Sequence, residues 1–99
     1  MIYISGPITG VENFQNVFSS AVTELVYHGY AQNEIINPAC NNYVCKPGKL
    51  SWKQYMDVAL VWLSFCDEIF MLKGWENSRG AKLEHEYAKA SGYRIIYQK

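Results

Sequence analysis

One segment decides the fold, and it reads Asp67-Glu68-Ile69-Phe70-Met71-Leu72-Lys73-Gly74-Trp75-Glu76-Asn77-Ser78-Arg79-Gly80-Ala81-Lys82-Leu83-Glu84. Residues 67–72 form a short, mostly apolar run that predicts a buried strand. The glycine-punctuated stretch that follows predicts a loop, and Asn77 or Ser78 can cap the helix after it. A loop between the carboxyl end of a strand and a helix is where open α/β sheets bind ligands. We therefore expect Glu84, on the second turn of that helix, to face a bound molecule.

The same alternation of strands and helices extends outward through the chain. Strands alternating with helices imply a parallel sheet with right-handed crossovers. We predict an α/β fold, a small three-layer Rossmann-like or flavodoxin-like domain with a four-stranded parallel sheet, formed as a single domain by residues 1–99. The remaining predicted strands are Met1 to Ser5, Glu34 to Asn37 and Tyr93 to Tyr97; the predicted helices run from about Phe14 to Gly29, from the cap at Ser51 to about Phe65, and from the cap at Asn77 or Ser78 to about Gly92, and Ala39 to Leu50 is a predicted loop.

Composition excludes several classes of protein. Nine basic and nine acidic residues give a net charge of zero, and no basic stripe indicates binding to a nucleic-acid polymer. No apolar run approaches the roughly 20 residues of a membrane span, and the first residues form a strand pattern and not a signal peptide. Three cysteines favour reduced thiols in the cytoplasm. Neither a metal site nor a cofactor is predicted, since Cys40 and Cys45 are spaced too widely for the usual zinc pair.

Aromatic residues make up 15% of the chain. They can fill the core, or they can mark an oligomer interface, because a short chain buries little surface by itself. We expect a homodimer or larger homo-oligomer, with Trp52, Tyr55 and Trp62 of the second helix at the interface.

Two glutamates of the third helix have different surroundings. Glu84 has Ala81 three residues before it and Ala88 four residues after it, and such small neighbours let a helix approach a sheet closely. Glu86 has Lys82 four residues before it and Lys89 three residues after it, which predicts a solvated, ion-paired position. We expect Glu84 to be partly buried at the edge of the sheet, where a charge is costly unless it is paired or used. The alternative is that Glu84 only bonds nearby backbone groups.

Other groups could complete a site. Asp57 is a charge in an otherwise apolar helix, although a salt bridge with Lys53 would equally explain it. The loop from Ser5 to Gly10 leads into the first helix, so its backbone N–H groups could face an anion. That loop matches neither a Walker motif nor a dinucleotide fingerprint. Arg79, in a second donor-rich loop, could pair with a phosphate.

Several of these segments together resemble the nucleoside 2-deoxyribosyltransferase-like superfamily, over nearly the whole chain. The resemblance lies in Ile2-Tyr3-Ile4-Ser5-Gly6-Pro7, the helix that carries Asp57, Cys66-Asp67 before the third strand, and Gly80-Ala81-Lys82-Leu83-Glu84. The most similar members are short bacterial and phage proteins of unassigned function. The resemblance implies that Glu84 is the nucleophile, that Asp57 binds the sugar and assists at the base, and that Tyr3 orients the nucleophile. It implies a substrate-binding set that comprises Ser5, Gly6, Thr9, Gly10, Ser78, Arg79 and Gly80.

The resemblance implies cleavage or transfer at the N-glycosidic bond of a nucleoside or nucleoside 5′-monophosphate, without a cofactor. A carboxylate next to C1′ can stabilise or trap the oxocarbenium character that develops there, and an acid near the base can protonate the leaving nitrogen. Two other hypotheses stay open. The same fold could bind a nucleotide, or a signal derived from one, without turnover, or it could be a purely structural domain that forms oligomers.

Overall fold

The computed structural model describes residues 1–8, 10–40 and 51–99, and they form an α/β fold around a four-stranded parallel sheet. The predicted fold class is therefore confirmed. Short 3-10 helices occupy Gln32–Glu34, Pro38–Cys40 and Trp75–Asn77. The strands are β1 (Ile2–Ser5), β2 (Ile35–Ile36), β3 (Glu68–Met71) and β4 (Arg94–Tyr97), and the helices are α1 (Phe14–Tyr27), α2 (Trp52–Ser64) and α3 (Arg79–Ala90).

The sheet has the strand order β2-β1-β3-β4, and all three pairings are parallel. β1 pairs with β3 over four residues, from Ile2 opposite Glu68 to Ser5 opposite Met71. Its pairing with β2 covers two residues. β2 is shorter than the predicted strand. A 3-10 helix ends at Glu34, directly before it, and another begins at Pro38, one residue after Asn37; Pro38 also has no backbone N–H to donate to the ladder.

The helices cover the two faces of the sheet unequally. On one face, α1 packs through Phe18, Ala21 and Leu25 against Ile2 and Phe70, together with other buried apolar residues. The opposite face packs with residues of α2 and α3 and includes Tyr3, Leu63, Cys66, Ile69, Met71, Ala81 and Ala88. This arrangement is the predicted three-layer order, and it places α2 and α3 next to each other on the same face of the sheet.

The predicted ends of the helices follow from local chemistry. Ser51 and Gln54 form the predicted capping box, in which the Gln54 N–H donates to the Ser51 Oγ at 3.1 Å and the Ser51 N–H donates to the Gln54 Oε1 at 2.9 Å. Gly29 and Gly92 follow α1 and α3 with φ of 107° and 76°, a left-handed conformation that favours glycine. Of the helices in the described ranges, none is long and apolar enough to cross a membrane. Most of the predicted Ala39–Leu50 loop lies outside the described residues.

Gly6 lets the end of β1 approach β3 closely. A Cβ at this position would lie 2.8 Å from the Leu72 Cβ, and Leu72 is fully buried. Because that Cβ is fixed by its own backbone, the contact could be relieved only by a shift of the chain after β1. Gly80 differs, since a Cβ there would meet the flexible Met56 Sδ at 3.0 Å.

We predict that Gly6→Ala lowers the free energy of unfolding by about 1–3 kcal/mol through overpacking. Gly80→Ala is the matched control and should cost less, since the Met56 side chain can move and alanine favours a helix by about 1 kcal/mol over glycine. Urea unfolding of the two variants and the wild type measures the difference. A Gly6→Ala protein as stable as Gly80→Ala would contradict the close approach.

Candidate active site

The site is built where the strand order reverses. α1 carries the chain from β1 to β2 on one side, and α2 brings it back past β1 to β3 on the other side. The carboxyl ends of β1 and β3 therefore meet at a topological switch point, the usual ligand position in such sheets. Tyr3 and Ser5 both point to the face that carries α2 and α3, because side chains alternate along a strand.

The Glu84 side chain extends from α3 toward the end of β1. The Tyr3 hydroxyl donates to the Glu84 Oε2 at 2.5 Å, and the Ser5 hydroxyl donates to the Glu84 Oε1 at 2.7 Å. Glu84 is 5% exposed, and Ala81 and Ala88 on the same face of the helix are buried. The predicted burial of Glu84 is thus confirmed, and the predicted pairing of Tyr3 with it is observed. Ser5 was predicted to contact substrate, and in the structure it contacts the carboxyl group.

The surroundings of Glu84 change its acidity. Burial raises the pKa of the carboxyl group from 4.5 to about 7, although the hydrogen bonds from Tyr3 and Ser5 act in the opposite direction. Burial, and then the nearby Glu84, raise the pKa of Tyr3 well above 10, so Tyr3 stays a hydrogen-bond donor. The same two causes raise the pKa of Tyr55, which lies beside Tyr3. Near neutral pH the Glu84 carboxyl can therefore either accept or release a proton.

A small cavity opens in front of Glu84. It is lined by Gly6, Ile8, Trp52, Tyr55, Met56, Ser78, Gly80, Ala81 and Glu84. Trp52 and Tyr55 were predicted to form an interface between subunits, but they form the α2 wall of this cavity; a role in assembly stays a prediction. The sequence carried a signal for this wall. Trp52, Tyr55 and Met56 share one face in the first turns of α2, and that end of the helix lies at the carboxyl edge of the sheet.

A second hollow of about 350 Å³ adjoins the cavity and shares Trp52, Ser78 and Gly80 with it. Ser78 caps α3, and its Oγ accepts the Ala81 N–H at 3.2 Å. The Arg79 guanidinium carbon lies 4.0 Å from the centre of the Trp52 ring. Hence the predicted residues Ser78, Arg79 and Gly80 all border this hollow at the N-terminus of α3, where the helix dipole favours negative charge.

Three predicted residues lie elsewhere. Asp57 is exposed and pairs with Lys53 at 3.1 Å, as the alternative explanation of its charge predicted, and it is not among the residues that line the cavity. Gly10 is exposed in the loop after β1 and does not line it either. Thr9 lies outside the described residues.

A larger hollow, of about 630 Å³, lies between the end of α1 and β4. Its ionisable side chains are exposed or half-buried, and its Glu24 already accepts a hydrogen bond from Gln98. The smaller cavity is chemically the better candidate, because it contains a buried carboxyl group of raised pKa. Within the part of the chain that the structure describes, no three His, Cys, Asp or Glu side chains lie together as a metal site requires.

We predict that Glu84 makes the stability of the protein depend on pH. Because the folded state binds this proton more tightly than the unfolded state, the stabilisation is complete below about pH 4.5 and is lost as pH rises through about 7. The free energy of unfolding of the wild type, taken relative to Glu84→Gln, should fall by about 3 kcal/mol between about pH 4 and about pH 8. Urea unfolding of both proteins measures this difference, from which all other titrations cancel. A difference independent of pH would mean that Glu84 titrates normally.

Comparison with known proteins gives one family. The family model described as Domain of unknown function (DUF4406) matches residues 1–97. No curated protein and no solved structure matches the chain.

Proposed function

The chain belongs to the DUF4406 family, and we propose that it cleaves or transfers at the N-glycosidic bond of a nucleoside or nucleoside 5′-monophosphate, with Glu84 as the nucleophile. The observation that carries the proposal is the Glu84 carboxyl group, which is buried at the switch point of the sheet and fixed through both oxygens by Tyr3 and Ser5. A carboxyl group held so firmly needs little reorganisation when it reacts. Because Glu84 lines a cavity, its carboxyl group is placed to contact a bound ligand.

The chemistry assigned to Glu84 is a double displacement. One carboxylate oxygen attacks C1′ of the sugar, the bond between C1′ and the base nitrogen breaks, and the base leaves with the electron pair and takes a proton. Water or a second base then attacks C1′, loses a proton, and releases the carboxylate. Tyr3 and Ser5 hold the carboxylate in one orientation and stabilise its charge. The proposal gives Asp57 no step, since Asp57 does not line the cavity.

The hollow at the start of α3 supports a polar or anionic group on the same ligand. Ser78, Gly80 and Arg79 border it, and a helix N-terminus together with a guanidinium group suits a phosphate. The cavity and the hollow share three residues, so one ligand could extend from the carboxyl group to the helix end.

A second candidate function is binding of a nucleotide without turnover. The observation that favours it is the position of Asp57, which is exposed and paired with Lys53, so that among the described residues Glu84 is the one carboxyl group that lines the cavity. In that case the Glu84 carboxyl group would only hydrogen-bond a sugar hydroxyl.

We expect purified protein to release free base from at least one member of a panel of ribo- and deoxyribonucleosides and their 5′-monophosphates. Glu84→Gln should reduce that rate by at least about 100-fold, because the amide cannot act as the nucleophile. Chromatography of the reaction measures the free base. Glu86→Gln is the matched control, since Glu86 is exposed on the same helix, and it should keep the wild-type rate.

Three outcomes separate the two functions. Base released by the wild type and by Glu86→Gln, but not by Glu84→Gln, supports the nucleophile. Intact ligand that raises the melting temperature of all three proteins supports the binding module. Neither release nor binding across the panel overturns both.

The rate of base release should also depend on pH. Glu84 must be ionised to attack, so kcat/KM should rise with pH through about 7 and then level off. Ser5→Ala removes one donor to the carboxylate, which raises its pKa, and should move the profile to higher pH. The measurement is kcat/KM against pH for both proteins. Identical profiles would show that the titration belongs to another group.

A further inference from the structure

The two edges of the sheet are protected to different extents. An edge strand has unpaired N–H and C=O groups that invite another strand, and proteins usually keep such strands short or place proline or charge on them. β2 has only two residues and lies between two 3-10 helices, the second of which begins at Pro38. β4 has four residues, of which Arg94 alone is charged. Among the described residues, no strand pairs with its outer edge.

The hydrogen bonds of β4 leave two of its residues facing outward. The N–H groups of Arg94 and Gln98 donate to carbonyl groups on the β3 side, at 3.2 and 2.9 Å. Successive residues of a parallel strand direct their backbone groups alternately to one side and to the other. Ile95 and Tyr97 therefore direct their N–H and C=O groups toward the open edge.

The side chains of β4 are apolar on both faces of the sheet. Ile96 packs against the part of the core that α1 covers, and Ile95 packs against the part that α2 and α3 cover. Both are only half-buried, and Tyr97 is 50% exposed. The open edge thus combines unpaired backbone groups with apolar surface, and these are the features by which a sheet accepts a further strand.

A second copy of β4 fits this edge when a two-fold axis passes through Ile96. In such an antiparallel pair, Ile95 lies opposite Tyr97 of the second copy and Tyr97 lies opposite its Ile95. Every outward N–H group then meets an outward C=O group. Residues directly opposite each other share a face, so Ile96 contacts its own counterpart.

The charges and the other registers favour the same axis. Arg94 lies opposite Gln98, so the two Arg94 side chains are separated by four residues along the strands, roughly 13 Å, which is more than the Debye length of about 8 Å at physiological salt. An axis through Ile95 would place Tyr97 opposite Tyr93, whose N–H already donates within its own chain at 2.9 Å. That register would leave backbone groups of Tyr97 unpaired.

We propose that β4 is a dimer interface, at which two copies of the chain join in antiparallel register, with the two-fold axis at Ile96, into one continuous sheet. Such an interface is isologous, so the assembly closes at two copies. It does not depend on the proposed function, because none of its residues lines the cavity that contains Glu84.

The test places charges at position 96 and measures the dimer dissociation constant by sedimentation across the micromolar range. We expect the wild type to dimerise. Ile96→Lys and Ile96→Glu should each weaken the dimer by about ten-fold or more, because like charges then face each other at the axis. An equimolar mixture of the two variants should form a heterodimer about ten-fold tighter than either variant alone, because the charges are then opposite.

Val61→Lys is the matched control. Val61 is 55% exposed on α2, and its replacement adds the same charge to a helix that the sequence predicted to form the interface. This variant should keep the dissociation constant of the wild type. Thermal unfolding monitored by circular dichroism ensures that all variants are folded, and the mixture distinguishes a charge effect at the axis from a general loss of stability.

A wild type that stays monomeric throughout this range would overturn the proposal. Ile96 variants that dimerise as tightly as the wild type would also overturn it, and dissociation by Val61→Lys alone would place the interface on α2. If both Ile96 variants dissociate but their mixture binds no more tightly than either alone, the two-fold axis does not pass through Ile96 and the proposed register is wrong.

Discussion

The rest of the site depends on the two hydrogen bonds that join β1 to α3 at Glu84. These bonds offset the free-energy cost of burying the Glu84 carboxyl group, because their donors replace the water molecules that hydrate it in the unfolded chain. Tyr3 and Ser5 provide one donor to each oxygen, and they stand two residues apart on a strand, so both reach the same helix. The compensation is incomplete, because the pKa remains raised to about 7. The fold therefore keeps a group whose charge is nearly balanced against its neutral form, and this property suits a reactive group better than a structural one.

Much of this arrangement could be predicted from the sequence, because it depends on short-range periodicity. Ala81 and Ala88 mark the face on which α3 approaches the sheet, and Glu84 lies on that face. The alternation along β1 places Tyr3 and Ser5 on one side of the sheet. The link between these segments was not visible locally, and Ser5 was consequently expected to bind substrate and not to bond Glu84.

The α2 wall shows what the sequence alone left open. A face with Trp52, Tyr55 and Met56 is equally consistent with an interface and with a cavity, since both bury aromatic side chains. Whether this face lines a cavity or an interface depends on the distance between α2 and α3, which helical periodicity does not determine. Gly80 contributes to that distance, because its missing side chain makes room for Met56. For Asp57 the alternative explanation, a salt bridge with Lys53, agrees with the structure.

The long sequence separation within the Glu84 cluster has a consequence for folding. Tyr3 and Ser5 are 81 and 79 residues away from the glutamate to which they donate hydrogen bonds. β1 also pairs with β3, and α1 and α2 separate these two strands in the sequence. Contacts of such high order form slowly, because the entropy of closing the loop is lost before the contacts can compensate for it. During synthesis β1 emerges well before β3 and α3, so it waits for the partners with which it pairs and bonds. The Glu84 carboxyl group therefore meets its two hydrogen-bond donors only after α3 has been translated and has packed against β1.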